Sequence, residues 1–212
     1  MMIRSYLCAL LSLAILLANP NPTKGQAPLT PEELLKLKTI SMVHLSPVNR
    51  EVIYSVSTPR GANEKPGGAT RQYFRASLTD WIPLPLFENQ ANASSPRYSP
   101  DGKYIGFLLA KEGEGQQVWV MNSTGGKMKK LTNEPSGVSQ FKWQPGKNGI
   151  AYLSRAMTSE REKELKERGY NFIFYEENLK NSSLHMAWFD EEWNQTSVWQ
   201  MTHEGNTWDS EF

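Results

Sequence analysis

The chain has 212 residues, enough for one domain with a sizeable core or for two small ones. Its 23 basic residues against 22 acidic ones leave a formal charge of +1, which removes the electrostatic case for nucleic acid or an anionic membrane surface as partner. Seven Trp, eight Tyr and eight Phe, with 13 Pro and 15 Gly, suit an all-β fold of short strands better than a helical bundle.

The N-terminus reads as a targeting segment. Arg4 supplies a short positive region, residues 6–18 are apolar but for Ser12, and Asn19-Pro20-Asn21-Pro22 breaks the run. A helix needs about 20 apolar residues to cross a bilayer, so this run is too short. Gly25-Gln26-Ala27 puts small residues where a signal peptidase reads. The expectation is a secretory signal peptide over 1–27 and a mature domain over 28–212, periplasmic or secreted, with no membrane span after cleavage. An uncleaved anchor is the competing reading. The single cysteine, Cys8, falls within the leader, so the mature chain relies on packing rather than disulfides. The bulky Tyr6 and Leu7 before Cys8 argue against a lipid anchor.

Thr30-Pro31-Glu32-Glu33 is a helix start, with Thr30 as cap, Pro31 at the first helical position and Glu33 returning the capping-box bond. A helix over 31–38 is expected, then strands over 40–45, 52–57 and 71–76, with a Gly- and Pro-rich hairpin over 59–68. No fourth strand stands out around Trp81, Pro83 and Pro85. A second group of strands follows over 93–98, 104–109, 117–121 and 127–132. Between its first two lies Ser99-Pro100-Asp101-Gly102, a turn in which Pro presets the backbone and Gly accepts the left-handed position. Residues 104–109 are apolar enough to be buried on both faces. The third group opens with 138–143, where alternation sets Val138 and Gln140 on one face and Phe141 and Trp143 on the other. Strand 150–154 is followed by a charged helical insertion over 159–168, closing at Gly169. A strand over 171–176 and two more over 184–189 and 197–202 complete the group.

These groups repeat. Ser99-Pro100-Asp101-Gly102-Lys103-Tyr104-Ile105-Gly106-Phe107 returns, degraded, as Gln144-Pro145-Gly146-Lys147-Asn148-Gly149-Ile150-Ala151-Tyr152, and is preceded by Ser46-Pro47-Val48-Asn49-Arg50-Glu51-Val52-Ile53-Tyr54. A turn signal and a strand repeating at roughly 40–50 residues is the mark of propeller blades. The predicted fold class is all-β, a partial β-propeller of about three four-stranded blades with a short N-terminal helix and a charged helical insertion. A closed ring takes about 4–8 blades. His203 to Asp209 repeats the approach to another inner strand.

The order Ser-Pro-Asp-Gly, buried strand, Val118-Trp119-Val120, Gly125-Gly126, then Leu131-Thr132 resembles the propeller repeat shared by TolB-like periplasmic proteins and the N-terminal domains of the prolyl oligopeptidase family. Met201-Thr202 repeats the Leu-Thr element. The leading helix, and the stretch from Gly169-Tyr170-Asn171 through Tyr175-Glu176-Glu177 to Leu184, look more like the acylaminoacyl- and dipeptidyl-peptidase branch. The resemblance covers roughly residues 29–212. It implies a parent of about seven or eight blades capping an α/β-hydrolase domain that follows in sequence and holds a Ser-Asp-His triad. The chain would then be the leading, non-catalytic fragment of an exported serine peptidase, gating access and binding substrate peptide, with that hydrolase domain as its missing partner. The first and third blades depart from the pattern in lacking the Asp of the turn.

Catalytic residues are not expected within the chain. A serine nucleophile elbow needs G-x-S-x-G, and Gly137-Val138-Ser139-Gln140-Phe141 lacks the second glycine. His44, His185 and His203 have no zinc-chelating spacing, so structural roles are expected and neither a metal nor a cofactor is implied. The resemblance does single out Glu176 and Glu177: in the dipeptidyl-peptidase branch two adjacent glutamates in a propeller insertion bind a peptide's free amino end. A buried ammonium needs such a carboxylate partner. The competing reading is a solvated strand end, and Glu191-Glu192 reads as a hairpin tip. Trp119, Trp143, Trp188 and Trp199 are expected to pack between blades rather than line a channel. Asp101 reads as a turn residue rather than a metal ligand. Asn92, Asn122, Asn181 and Asn194 each open an N-x-[ST] sequon, relevant only in a eukaryotic source. Two further readings stay open: a TolB-like periplasmic propeller that binds a protein partner without catalysis, and a truncated gene product with no function of its own.

Overall fold

The computed structural model describes residues 30–34, 36–61, 64–65, 67–87, 90, 92–155, 160–170 and 182–202. The leader expected over 1–27, the strand expected over 171–176 and the segment from His203 onward lie outside them. The described residues divide into two units at Leu37 and Lys38.

In the first unit, α1 (Pro31–Leu34) is a single turn rather than the longer helix expected. Its start is the capping box read from the sequence: Thr30 N–H donates to Glu33 Oε2 at 2.8 Å, and Glu33 N–H to Thr30 Oγ1 at 3.2 Å. Lys36 N–H bonds Glu33 O and Leu37 N–H bonds Leu34 O, a tighter i to i+3 pattern. Leu34 and Leu37 are exposed, so the apolar stripe adds no burial to hold further turns.

The second unit consists of three four-stranded antiparallel meanders. The first holds β1 (Thr39–Leu45), β2 (Glu51–Thr58), β3 (Thr70–Ser77) and β4 (Pro83–Pro85). The second holds β5 (Ala93–Tyr98), β6 (Tyr104–Leu109), β7 (Gln117–Asn122) and β8 (Lys129–Lys130). The third holds β9 (Val138–Trp143), β10 (Gly149–Ser154), β11 (Ser183–Phe189) and β12 (Gln195–Gln200). The charged insertion between β10 and β11 carries α2 (Glu160–Glu167), which ends with Tyr170 N–H bonded to Leu165 O and Gly169 N–H to Lys166 O. This is a partial β-propeller, as the repeats implied.

Two strands differ from the expectation. β4 goes unseen in the sequence because prolines bracket Leu84, and Pro is tolerated only where no ladder bond is needed, here at the sheet edge. β8 is only two residues long, because Leu131 and Thr132 leave the strand. Leu131 N–H still reaches Val118 O at 2.8 Å, and the Thr132 hydroxyl takes the next ladder donor, Val118 N–H, at 2.9 Å.

The core lies between blades rather than within them. Ile105, Phe107, Leu109, Trp119 and Met121 of the middle sheet meet Ile53 of the first, with Met42 and Phe87 at the margin. The other side of the same sheet, Leu108, Val118 and Val120, meets Val138, Phe141, Ile150, Tyr152 and Ala187 of the third. β6 is buried on both faces, as its composition predicted. Gly106 belongs to the second interface: a Cβ there would fall 2.6 Å from Trp143 Cζ2 and 2.8 Å from Phe141 Cε2. The missing side chain is the socket for two aromatic rings.

β9 corrects the face assignment made from alternation. The register shifts between Leu153 and Ser154, so Ser154 pairs with Val138 and Leu153 with Gln140. Val138 is fully buried in the same core as Phe141, while Gln140 is exposed. A bulge inserts one residue into the alternation and turns Val138 to the inner face.

Candidate functional site

Each blade turns at two rims. One carries the turns at residues 46–50, 99–103 and 144–148. The Ser99-Pro100-Asp101-Gly102 turn behaves as its sequence requires: Ser99 Oγ donates to Asp101 Oδ1 at 2.6 Å, Lys103 N–H to the same oxygen at 3.1 Å, and Gly102 takes φ 69°. Asp101 is a turn residue. Gly102 also lies against the neighbouring turn, where Asn49 Nδ2 donates to its carbonyl at 3.4 Å.

A cleft of about 400 Å3 opens on this rim beside Trp143 and Trp193. Trp193, in the β11–β12 hairpin, is buried at φ 63°, a left-handed backbone that disfavours a large L side chain. Edge contacts with Tyr104 at 4.8 Å and Trp143 at 5.4 Å, and a tilted one with Phe189, hold it there. Asp190 secures the hairpin backbone by accepting from Asn194 N–H at 2.7 Å and Glu192 N–H at 3.0 Å. The Asn194 bonds hold the Asp190 carboxyl below its usual range. Glu191-Glu192 is thus the hairpin tip the sequence suggested.

The opposite rim carries the insertion and is the candidate site. Across its root, β10 and β11 pair Ser154 with Ser183 and Tyr152 with His185. His185 Nε2 lies 3.1 Å from Ser154 Oγ, and its ring stacks on Tyr152 at 5.1 Å and 9°. The Tyr152 hydroxyl donates to Glu134 Oε1 at 2.7 Å. Glu134 is held in turn by Gln117, whose side chain accepts from Glu134 N–H at 3.0 Å and from Thr132 Oγ1 at 2.8 Å, and donates to Glu134 O at 2.7 Å. Burial, with the Glu134 carboxylate, pushes the Tyr152 phenol far up. Burial pulls His185 down, against the upward pull of Glu134. The imidazole therefore favours its neutral form.

This Ser–His contact escaped sequence reasoning, because the two residues meet only through the register that closes over the insertion. It lacks the features of a hydrolytic pair. Ser154 sits within a strand, is 6% exposed and has no elbow to present its oxygen. Among the described residues no carboxylate hydrogen-bonds the imidazole of His185. The cluster is a satisfied polar seam between the second and third blades. Nor do the described residues hold a group of three or more His, Cys, Asp or Glu placed for a metal.

Glu176 and Glu177 fall outside the described residues, as does His203. His44 stacks on Tyr98 at 6.2 Å, and burial, then Arg97, pulls its pKa down. Of the four tryptophans assigned to blade packing, Trp119 is in the first interface and Trp143 borders the second. Trp188 and Trp199 pack edge to face with each other on the far side of the third sheet. Trp193 is the core aromatic that the sequence reading passed over.

No protein-family model matches the chain. Among curated proteins, it is 31% identical over 137 residues to Dipeptidyl-peptidase 5 of Porphyromonas endodontalis, an alignment covering 64% of this chain and 19% of that protein. It is 30% identical over 114 residues to the uncharacterized peptidase YuxL of Bacillus subtilis, covering 46% and 17%. The chain thus spans under a fifth of the length of these relatives. Among solved structures, the acylaminoacyl peptidase of Pyrococcus horikoshii matches with a TM-score of 0.55 at 18% identity, over 80% of this chain and 26% of that one. The β-propeller domain of the trilobed protease from Pyrococcus furiosus matches at 0.50 and 16%, over 80% and 44%. A TolB-type protein of Agrobacterium tumefaciens matches at 0.51 and 15%, over 79% and 50%.

Fold and neighbours together define a partial β-propeller. The sequence relatives narrow the likeness: both are named as peptidases, and the chain is similar to a segment of each.

Proposed function

We propose that this chain is the propeller part of an exported serine peptidase of the prolyl oligopeptidase family, working with a hydrolase domain carried elsewhere in a longer polypeptide. The observation that carries this reading is the 31% identity to Dipeptidyl-peptidase 5 over 137 residues. The blades restrict the approach to the hydrolase and admit short or unfolded chains. Glu176 and Glu177, in the insertion rooted at Ser154 and Ser183, hold the free amino end of the peptide. No helix among the described residues is long and apolar enough to cross a membrane, and the leader pattern supports release into the periplasm or medium.

Labelling the full-length product with a fluorophosphonate tests this. Covalent labelling of a serine in the part beyond this chain is expected. No labelling, together with a stable protein partner in an envelope extract, overturns it in favour of the TolB-like reading. In a labelled product, the E176Q/E177Q variant is expected to raise KM for peptides with a free amino end. It should leave amino-blocked peptides unaffected.

A further inference from the structure

We infer that the rim carrying the insertion holds a second recognition site, built on Arg60, Arg71 and Arg155, that takes a carboxylate group of an acidic peptide. The inference rests on the peptide-binding reading above and adds a preference that reading does not contain. The three arginines border one open depression of about 740 Å3, a size usual for ligand sites. Arg60 comes from the β2–β3 hairpin, Arg71 from β3 and Arg155 from the end of β10, so blades one and three supply the charge. Gln116 and Ser94 of the middle blade line the same depression.

No Asp or Glu is among the described lining residues. The ion pairs Lys103–Asp101 and Lys130–Glu114 do not involve an arginine of the depression. Three arginines on one depression, with no carboxylate among its described lining residues, in a chain whose formal charge is only +1, form a local positive field. Part of the site is already ordered. The Arg60 guanidinium donates Nε–H to Gly68 O at 2.7 Å and a terminal N–H to Lys65 O at 3.3 Å, and it lies against Gly67. Arg155 is anchored through its backbone N–H to Gly137 O at 3.0 Å. The Gln116 amide donates to Ser94 Oγ at 2.9 Å. A guanidinium presents two parallel N–H groups at the spacing of a carboxylate's oxygens, which a lysine cannot do.

The test measures binding to the full polypeptide of an end-blocked peptide rich in Asp and Glu against its Asn/Gln counterpart. The acidic peptide is expected to bind about tenfold tighter at low salt, with the advantage shrinking as salt rises. R71Q and R155Q should each weaken only the acidic peptide, by about three- to tenfold. R71K and R155K, which keep the charge without the fork, should fall between, and K103Q on the opposite rim should change nothing. Circular dichroism checks that each variant is folded. Equal affinity for the two peptides, or an acid preference that survives in folded R71Q/R155Q, overturns the inference. So does inorganic phosphate binding more tightly than the peptide. Fluorophosphonate labelling is independent of all these outcomes, so the peptidase reading and this site can fail separately.

Discussion

Gly106 is where the middle sheet leaves room for two aromatic rings of the third. Its replacement by Ala puts a methyl group inside van der Waals distance of Trp143 and Phe141. We expect G106A to cost about 1–3 kcal/mol, read from the urea midpoint. Gln117 is the polar counterpart: 3% exposed, it satisfies Glu134 N–H, Glu134 O and the Thr132 hydroxyl. Gln117→Leu leaves these groups unpaired and should cost about 1–3 kcal/mol. Two histidines contribute to the loss of stability in acid. His185, facing Tyr152, Ser154 and Glu134, and His44, facing Tyr98 and Arg97, both have pKa values pulled below 6.5 by burial. Between the folded value and 6.5 the unfolded chain binds more protons, so stability is full above pH 6.5 and falls as pH drops beneath it. Melting temperature followed from pH 7.5 to 5 should decline, and less steeply in H185Q.

The insertion illustrates what an element contributes. β10 and β11 pair along six residues, from Gly149 with Trp188 to Ser154 with Ser183, although α2 and its flanks separate them in sequence. Loop closure grows only slowly with length, so the ladder does not depend on the insertion's size. Replacing residues 156–181 with a short glycine-rich loop should leave the far-ultraviolet spectrum and the unfolding midpoint nearly unchanged. It should abolish discrimination between free and blocked amino ends, if Glu176 and Glu177 act as proposed. A large loss of stability would instead make the insertion structural. Element boundaries were legible where turn chemistry or alternation was strong, as at the capping box of α1 and the turn before β6. They were obscured at β4, where proline hides an edge strand, and at β9, where a bulge of one residue moves Val138 to the other face.

At the scale of the whole molecule, burial is one-sided at both ends of the arc. Ile40, Val43 and Leu45 are 65%, 62% and 59% exposed on the first sheet, and Trp199 is 65% exposed on the third. The middle sheet, covered on both sides, shows the alternative. Apolar faces of this kind associate. We expect the 212-residue chain alone to self-associate and to bind a hydrophobic dye, with V43K/L45K reducing both while leaving the unfolding free energy within about 0.5 kcal/mol. A monodisperse monomer by sedimentation would count against this.

Much of the architecture follows from local sequence, because blades are built of contiguous strands and their turns are short-range chemistry. Composition, the recurring turn and the two-faced hydrophobicity of β6 were enough to indicate four-stranded propeller repeats; the link to peptidases came from resemblance alone. The candidate site was legible only in part. The insertion stands out as a break in the repeat, while its acidic pair was singled out by resemblance and lies outside the described residues. The Ser154–His185 seam, the burial of Trp193 and the meeting of Arg60, Arg71 and Arg155 do not. Each of these joins residues distant in sequence, and only inter-strand register and blade-on-blade packing bring them within reach of one another.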